Sequence, residues 1–289
     1  MFKKIIFYNF FGNGDIHCSR SFVRYVVDQL PECTFEYILG ERINKNNLVD
    51  INKINFIKNT EMRDLLYNKL FLEHDQTLFI NTWVGCDNWR YHQHGQGCNL
   101  DSYKKMYEVI LNKLNLKIPE DETIFLPEIK YQNFKLDLIK NSLEKNKNKI
   151  KILICNEIPS SGQSPIFSFL PIINYLKYFD NVVIYFVSKN ENIEECSNVI
   201  FTDTLTVDKP DLNEISFLST NCNITIGRNS GVHSFTYVKE NILNSNYLNI
   251  SFTNSRGEAN FYPRHKCKNI WSNTPSAQEA LELVKKYVI

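Results

Sequence analysis

Short apolar runs alternate along the chain with stretches in which apolar residues recur every three or four positions. Ile5-Ile6-Phe7-Tyr8 is a continuous run that predicts a short buried strand. Phe22, Val23, Val26, Val27 and Leu30 then recur at helical spacing and predict a helix over 19–30. Phe35 to Leu39 reads as a second strand and Ile54 to Ile57 as a third. Met62, Leu65, Leu66 and Leu70 mark a helix, and Leu78-Phe79-Ile80 a strand running into Asn81-Thr82-Trp83. A polar, aromatic loop follows to about Leu100, and then Tyr103, Met106, Tyr107, Ile110, Leu111 and Leu114 mark another helix.

The charged run Glu144-Lys145-Asn146-Lys147-Asn148-Lys149 has no apolar anchor and is either a linker or an exposed helix end; it predicts a boundary dividing the chain into 1–148 and 149–289. The alternation then restarts. Strands are expected at 150–155, 182–187, 199–201, 222–226 and 247–252. Helices are expected over 166–176 and 212–218, from about Val232, and through Ala277, Ala280, Leu281, Val284 and Tyr287. Alternation of this kind demands right-handed crossovers and mostly parallel sheets. The expectation is an α/β protein of two Rossmann-like domains facing each other across a cleft. Ligands of such sheets bind beyond the carboxyl ends of the strands. Four stretches fall there: 12–20, 83–99, 157–165 and 227–235.

Composition narrows the classes. The 289 residues suit two domains of about 140 each. Apolar residues make up 43%, and the net charge of +1 gives no global field for nucleic acid or anionic membrane. Eight scattered cysteines form no C-x-x-C pair and favour a reducing compartment. The apolar start is interrupted by Asn9, Gly12, Asn13, Gly14 and Asp15, too soon for a signal peptide, and no run reaches the roughly 20 apolar residues of a membrane helix. A cytoplasmic protein is expected, with a peripheral membrane contact left open.

The first candidate stretch packs Gly12, Asn13, Gly14, Asp15, His17, Ser19 and Arg20 into nine residues. Glycines permit a sharp turn, and Asp15 between strand and helix can accept a proton or simply cap the helix. Neither a phosphate-loop Gly-Lys-Ser nor a third dinucleotide-type glycine is present, since residue 17 is His. In the late stretch, Gly227-Arg228-Asn229-Ser230-Gly231-Val232-His233 combines a helix start, a hydroxyl and a guanidinium. It suits a diphosphate, or is an ordinary turn capped by Ser230 with His233 packed in the helix. Ser161 and Gly162 lie in a loop with hydroxyls but no Lys or Arg, where any anion contacts would be neutral. Trp83, Asp87 and Trp89 suit a carbohydrate, whose apolar faces stack on aromatic rings. The spacing of Cys86, His92, His94 and Cys98 matches no common zinc site, so no metal is expected.

Gly-Asp-x-His after the first strand and Asn-Ser-Gly-x-His after a late one resemble GT-B glycosyltransferases, and among them the heptosyltransferase-like enzymes of lipopolysaccharide synthesis. The resemblance implies that Asp15 is the catalytic base, matching the family's Gly-Asp pair, with His17 beside it. It implies that Asn229-Ser230-Gly231 and His233 hold the donor diphosphate. From their placement after strands, Arg228, Ser161 and Gly162 are expected to join them, and Gly12, Asn13, Gly14, Arg20, Trp83, Asp87 and Trp89 to serve the acceptor. The chain departs from the pattern in having Asn229 for the family's Asp, in a His one residue early, and in lacking a basic residue over 157–165. The implied activity is metal-independent, inverting transfer of a hexose or heptose from a nucleotide-sugar to a glycan hydroxyl in surface polysaccharide synthesis, with no cofactor. Arg228 and His233 with the early Gly-Asp are also similar to polysaccharide pyruvyl transferases, which use phosphoenolpyruvate. A glycan-binding protein without turnover is the third reading.

Overall fold

The structure, a computed structural model, describes residues 2–59, 61–84, 86, 99–159, 162, 164–187, 191–193, 196–254, 265–273 and 276–288, with 99–102 as backbone only. The chain forms two compact units: Met1–Lys130, and a second drawn from the chain after it.

The first unit begins with β1 (Lys4–Asn9), α1 (Asn13–Gln29), β2 (Thr34–Leu39) and β3 (Ile54–Lys58). It continues with α2 (Arg63–Leu66), β4 (Phe71–His74), β5 (Thr77–Asn81) and α3 (Asn99–Lys113). Its sheet has the order β3-β2-β1-β5-β4, parallel except for β4, which pairs antiparallel with β5. The β1–β5 neighbourhood is where the strand order reverses, the switch point at which such sheets bind ligands. Strands β1 and β5 are buried almost throughout because helices cover both faces of a parallel sheet. Helix α1 is held to α3 by Phe22 stacked on Tyr107 at 4.0 Å and by the Tyr107 hydroxyl donating to the Cys18 carbonyl at 3.1 Å.

The second unit runs α4 (Asp137–Lys145), β6 (Ile150–Cys155), α5 (Leu170–Leu176), β7 (Val182–Phe186), β8 (Val199–Phe201) and α6 (Leu212–Thr220). It closes with β9 (Ile224–Arg228), α7 (Gly231–Ser234), α8 (Lys239–Ile242), β10 (Leu248–Phe252), β11 (Lys268–Ser272) and α9 (Ala277–Val288). Its six strands are all parallel in the order β11-β10-β9-β6-β7-β8, with the switch point between β6 and β9. Ile154, Ile184, Ile226, Ile250 and Phe252 pack under α5 and α9, whose Ile173, Leu176, Ala280 and Val284 complete the core.

The units part at Lys130 rather than at 148. The segment in between packs with the second unit. The Tyr131 hydroxyl meets Ser216 at 3.0 Å and its ring meets Phe217, while Ser142 of α4 meets the Tyr185 hydroxyl at 3.3 Å. The Lys-rich run is thus the end of a helix and its link to β6. The alternation of strands and helices matches the expected α/β class. The structure adds β4 and β11 and shortens the helix expected around Met62 to four residues.

Candidate functional site

Helix α1 starts at Asn13, so the expected turn at 12–18 is in fact the first turns of a helix. Gly12 is its extended N-cap (φ −108°, ψ 172°). Asp15, the third helical residue, reaches back to accept the Gly12 N–H at 3.2 Å, half of a capping box. Asn47 donates to the Asn13 side-chain oxygen at 2.8 Å and pins the turn from outside. Capping chemistry extends the helix beyond its apolar period. Gly12, Asn13, Gly14 and Asp15 remain half-buried, so the carboxylate is accessible and held. The neighbouring phenols are neutral: burial pushes Tyr37 up to about 12 and Tyr103 well above its usual value, and the Asp15 charge adds to both shifts.

His17 and Arg20 do not line the site, which corrects the expectation that they orient a ligand. Both are fully buried. Arg20 meets His17 Nδ1 at 3.0 Å and donates to the Asn47 carbonyl at 2.8 Å and to Asp50 at 2.6 Å. Arg24 donates to the other Asp50 oxygen at 2.6 Å, and that oxygen also accepts the Lys130 N–H. A buried guanidinium must be paired, and Asp50 pairs it. The network braces α1 against the segment that carries Asn47.

Trp83 follows β5 and is half-buried, its ring stacked on Phe11 at 3.5 Å. Asp87 and Trp89 lie outside the described residues, as do His92, His94 and Cys98.

In the second unit the strand β9 runs through Gly227 and Arg228. Arg228 is 2% exposed and donates to the Pro165 carbonyl at 3.1 Å and to the carbonyls of Asn156 and Phe167. Its guanidinium also lies over the rings of Phe167 and Phe169. It clamps the loop after β6, and the expected phosphate contact is corrected on that ground: each of its three nitrogens donates to a backbone oxygen inside the protein. His233 is likewise buried and bonds Asn249 at 2.9 Å. Burial lowers its pKa to about 4, so the ring is neutral near pH 7 and carries no charge for a diphosphate. Its ring packs against Gly227, where a Cβ would stand 3.0 Å from it and 2.8 Å from the Cys155 Cβ.

Ser230 caps α7 by accepting the His233 N–H at 3.3 Å, and is buried. Asn229 is buried, its carbonyl accepting from Ser164 at 2.8 Å. Gly231 is half-buried, Gly162 is exposed in the left-handed region (φ 66°), and Ser161 lies outside the described residues. Glu157, just past β6, accepts the Val232 N–H. Loss of solvent and then the nearby Asp211 raise its pKa above the usual carboxylate range. A carboxylate therefore sits where the sequence suggested an anion would bind. Asp50, Asn47 and this role of Glu157 escaped sequence reading; an acidic residue in a stretch without Lys or Arg was the available sign for Glu157.

Among the described residues no group of three or more His, Cys, Asp or Glu side chains is placed to hold a metal. None of the described helices is long and apolar enough to cross a membrane.

No family model matches the chain, and no curated protein matches it by sequence. Solved structures do. A glycosyl transferase family 9 protein from Veillonella parvula has a TM-score of 0.55 at 11% identity, over 98% of this chain and 88% of its own. The E. coli heptosyltransferase WaaC with ADP-2-deoxy-2-fluoro heptose has a TM-score of 0.55 at 8% identity, over 98% and 99%. The E. coli ADP-heptose lipopolysaccharide heptosyltransferase II has a TM-score of 0.51 at 11% identity, over 98% of both. The chain shares the fold of these GT-B glycosyltransferases through both of its units.

Proposed function

We propose that the protein is a glycosyltransferase that moves a sugar from a nucleotide-sugar to a glycan hydroxyl. In this reading Asp15 is the general base. It deprotonates the acceptor hydroxyl as it attacks the donor's anomeric carbon with inversion, and the nucleoside diphosphate leaves. The first unit takes the acceptor; the second takes the donor around Gly162 and Gly231. The observation that carries the reading is the half-buried Asp15 carboxylate, fixed by the Gly12 N–H beside the switch point of a sheet in a chain of this fold. A cytoplasmic site in surface polysaccharide or glycoconjugate synthesis suits the cysteines, which are free thiols throughout the described residues.

The sealing of Arg228 and His233 favours a second reading, a glycan-binding protein without turnover. A donor panel of ADP-, UDP-, GDP-, dTDP- and CMP-sugars, read by hydrolysis and thermal shift, separates the two. Transfer by the wild type, cut by about 100-fold or more in Asp15→Asn with unchanged melting, is the expected result. Full activity in Asp15→Asn would remove the base, and no stabilisation by any nucleotide would favour binding alone. The reading assigns no metal, so EDTA should leave transfer intact.

A further inference from the structure

Two asparagines end the two strands that flank the switch point of the first unit, and both turn inward. Asn9, the last residue of β1, is fully buried, and its side-chain oxygen accepts the Phe11 N–H at 3.0 Å. Asn81, the last residue of β5, is 2% exposed, and its oxygen accepts the Trp83 N–H at 2.9 Å. The same device thus fixes the second residue beyond each strand. Asn81 also donates to the Tyr67 carbonyl at 3.1 Å, and Asn9 to the Thr82 hydroxyl at 3.2 Å. Phe11, Tyr67 and Trp83 come together as a result. Phe11 and Trp83 stack at 3.5 Å with 19° between planes, and Tyr67 lies 5.4 Å from Phe11 and 5.6 Å from Trp83. All three rings are half-buried rather than sealed.

We infer that these rings form a preorganised shelf for one pyranose ring of the acceptor, with Phe11 and Tyr67 as binding residues beside Trp83. The inference rests on the proposed transfer reaction for the word acceptor, and on geometry for the rest. The shelf is continuous with the base, since Phe11 precedes Gly12 and the Gly12 N–H holds Asp15. Its surroundings are polar. The exposed Arg63 guanidinium stands 5.4 Å from the Tyr67 ring centroid, and Asn13 and Asp15 are half-buried on the other flank. A wholly apolar ligand would desolvate these groups without pairing them. A pyranose matches both features: one face of axial C–H bonds for the negative face of an aromatic ring, and a rim of hydroxyls for the polar margin. The buried asparagines set the ring positions in advance, which lowers the ordering cost of binding.

Saturation-transfer NMR with a panel of methyl hexopyranosides tests this on the intact chain. The expected result is saturation concentrated on the protons of one sugar face. Trp83→Leu keeps an apolar side chain and should weaken binding roughly tenfold, whereas Trp83→Phe should stay within about threefold. Phe11→Leu should act like Trp83→Leu, with melting curves confirming that each variant folds. Equal binding by the Leu variants, or no saturation of any pyranoside in the wild type, overturns the shelf. Asp15→Asn separates the two readings: it should bind pyranosides normally while losing transfer. A failed shelf with Asp15-dependent transfer leaves the enzyme reading standing, and a working shelf without any transfer leaves only the shelf.

Discussion

The turns after β1 and after β9 look alike in sequence: each carries glycine, a small polar residue and a histidine near a helix start. They differ in where the charge ends up. After β1 the cap is built from Gly12 and Asp15, and the carboxylate stays half-exposed. After β9 the strand runs two residues further than its apolar run predicts, carrying Arg228 inward, and Gly227 opens room for the His233 ring. Both stretches seal their histidine and arginine inside the protein, but only the first leaves a carboxylate half-exposed at a helix start. Asp15 is held by a backbone N–H at the helix start, whereas Arg228 is drawn inward by the carbonyls of the loop after β6.

The largest effect expected from this contrast is on stability. Arg228→Met keeps an apolar stem but strands three carbonyls, and should cost about 3–5 kcal/mol. Thermal unfolding checks it; normal melting with weakened nucleotide binding would instead make Arg228 a ligand contact. Next comes a pH effect. Unfolded histidine binds its proton near pH 6.5 and His233 only near 4. The stability it contributes is complete above pH 6.5 and is lost as pH falls toward 4, about 3 kcal/mol in all. Denaturant titrations of wild type and His233→Gln should therefore diverge in slope below pH 6.5, and parallel profiles would mean an accessible ring.

In the first unit, Asp15→Asn should lower transfer by about 100-fold, near 2.7 kcal/mol, with no change in melting. The smallest effect concerns Glu157. Removing its charge in Glu157→Gln should tighten ADP binding about fivefold, the worth of roughly 1 kcal/mol for one screened charge at contact distance. Calorimetric titration measures it, and unchanged affinity would place the diphosphate away from the Val232 N–H.

Much of the fold was legible because buried strands are written as apolar runs and helices as a period. Ile5–Tyr8 and Ile150–Cys155 needed nothing else. The boundary at 148 was misplaced because a run of Lys and Glu looks the same in a linker and at a helix end; the contacts of Tyr131 and Ser142 decide, and they are long-range. The helix around Met62 was read too long because Met62, Leu65, Leu66 and Leu70 recur at helical spacing although the helix ends at Leu66, and β4 beyond it was not read at all. At the candidate site, the capping contact of Asp15 was readable, since a carboxylate just after a strand and a glycine commonly caps the next helix. The fates of Arg20, Arg228 and His233 were not, because their partners Asp50, Phe167 and Asn249 are distant in sequence. Phe11 and Tyr67 were hidden for the same reason, although an Asn closing each of two strands, two residues before an aromatic, was visible.

The antiparallel pair of the first sheet has a consequence for how the chain is made. Strands β4 and β5 meet across the two-residue turn Asp75-Gln76, with Asp75 in the left-handed region (φ 54°). Such a hairpin can close in microseconds, as soon as its residues are available. The strands β6 to β11 of the second sheet pair in parallel among the described residues, each pair requiring a crossover before its strands can meet. During synthesis the first half can thus gain a local nucleus early. The second half must wait for distant segments, so slow refolding and aggregation after denaturation should trace to it.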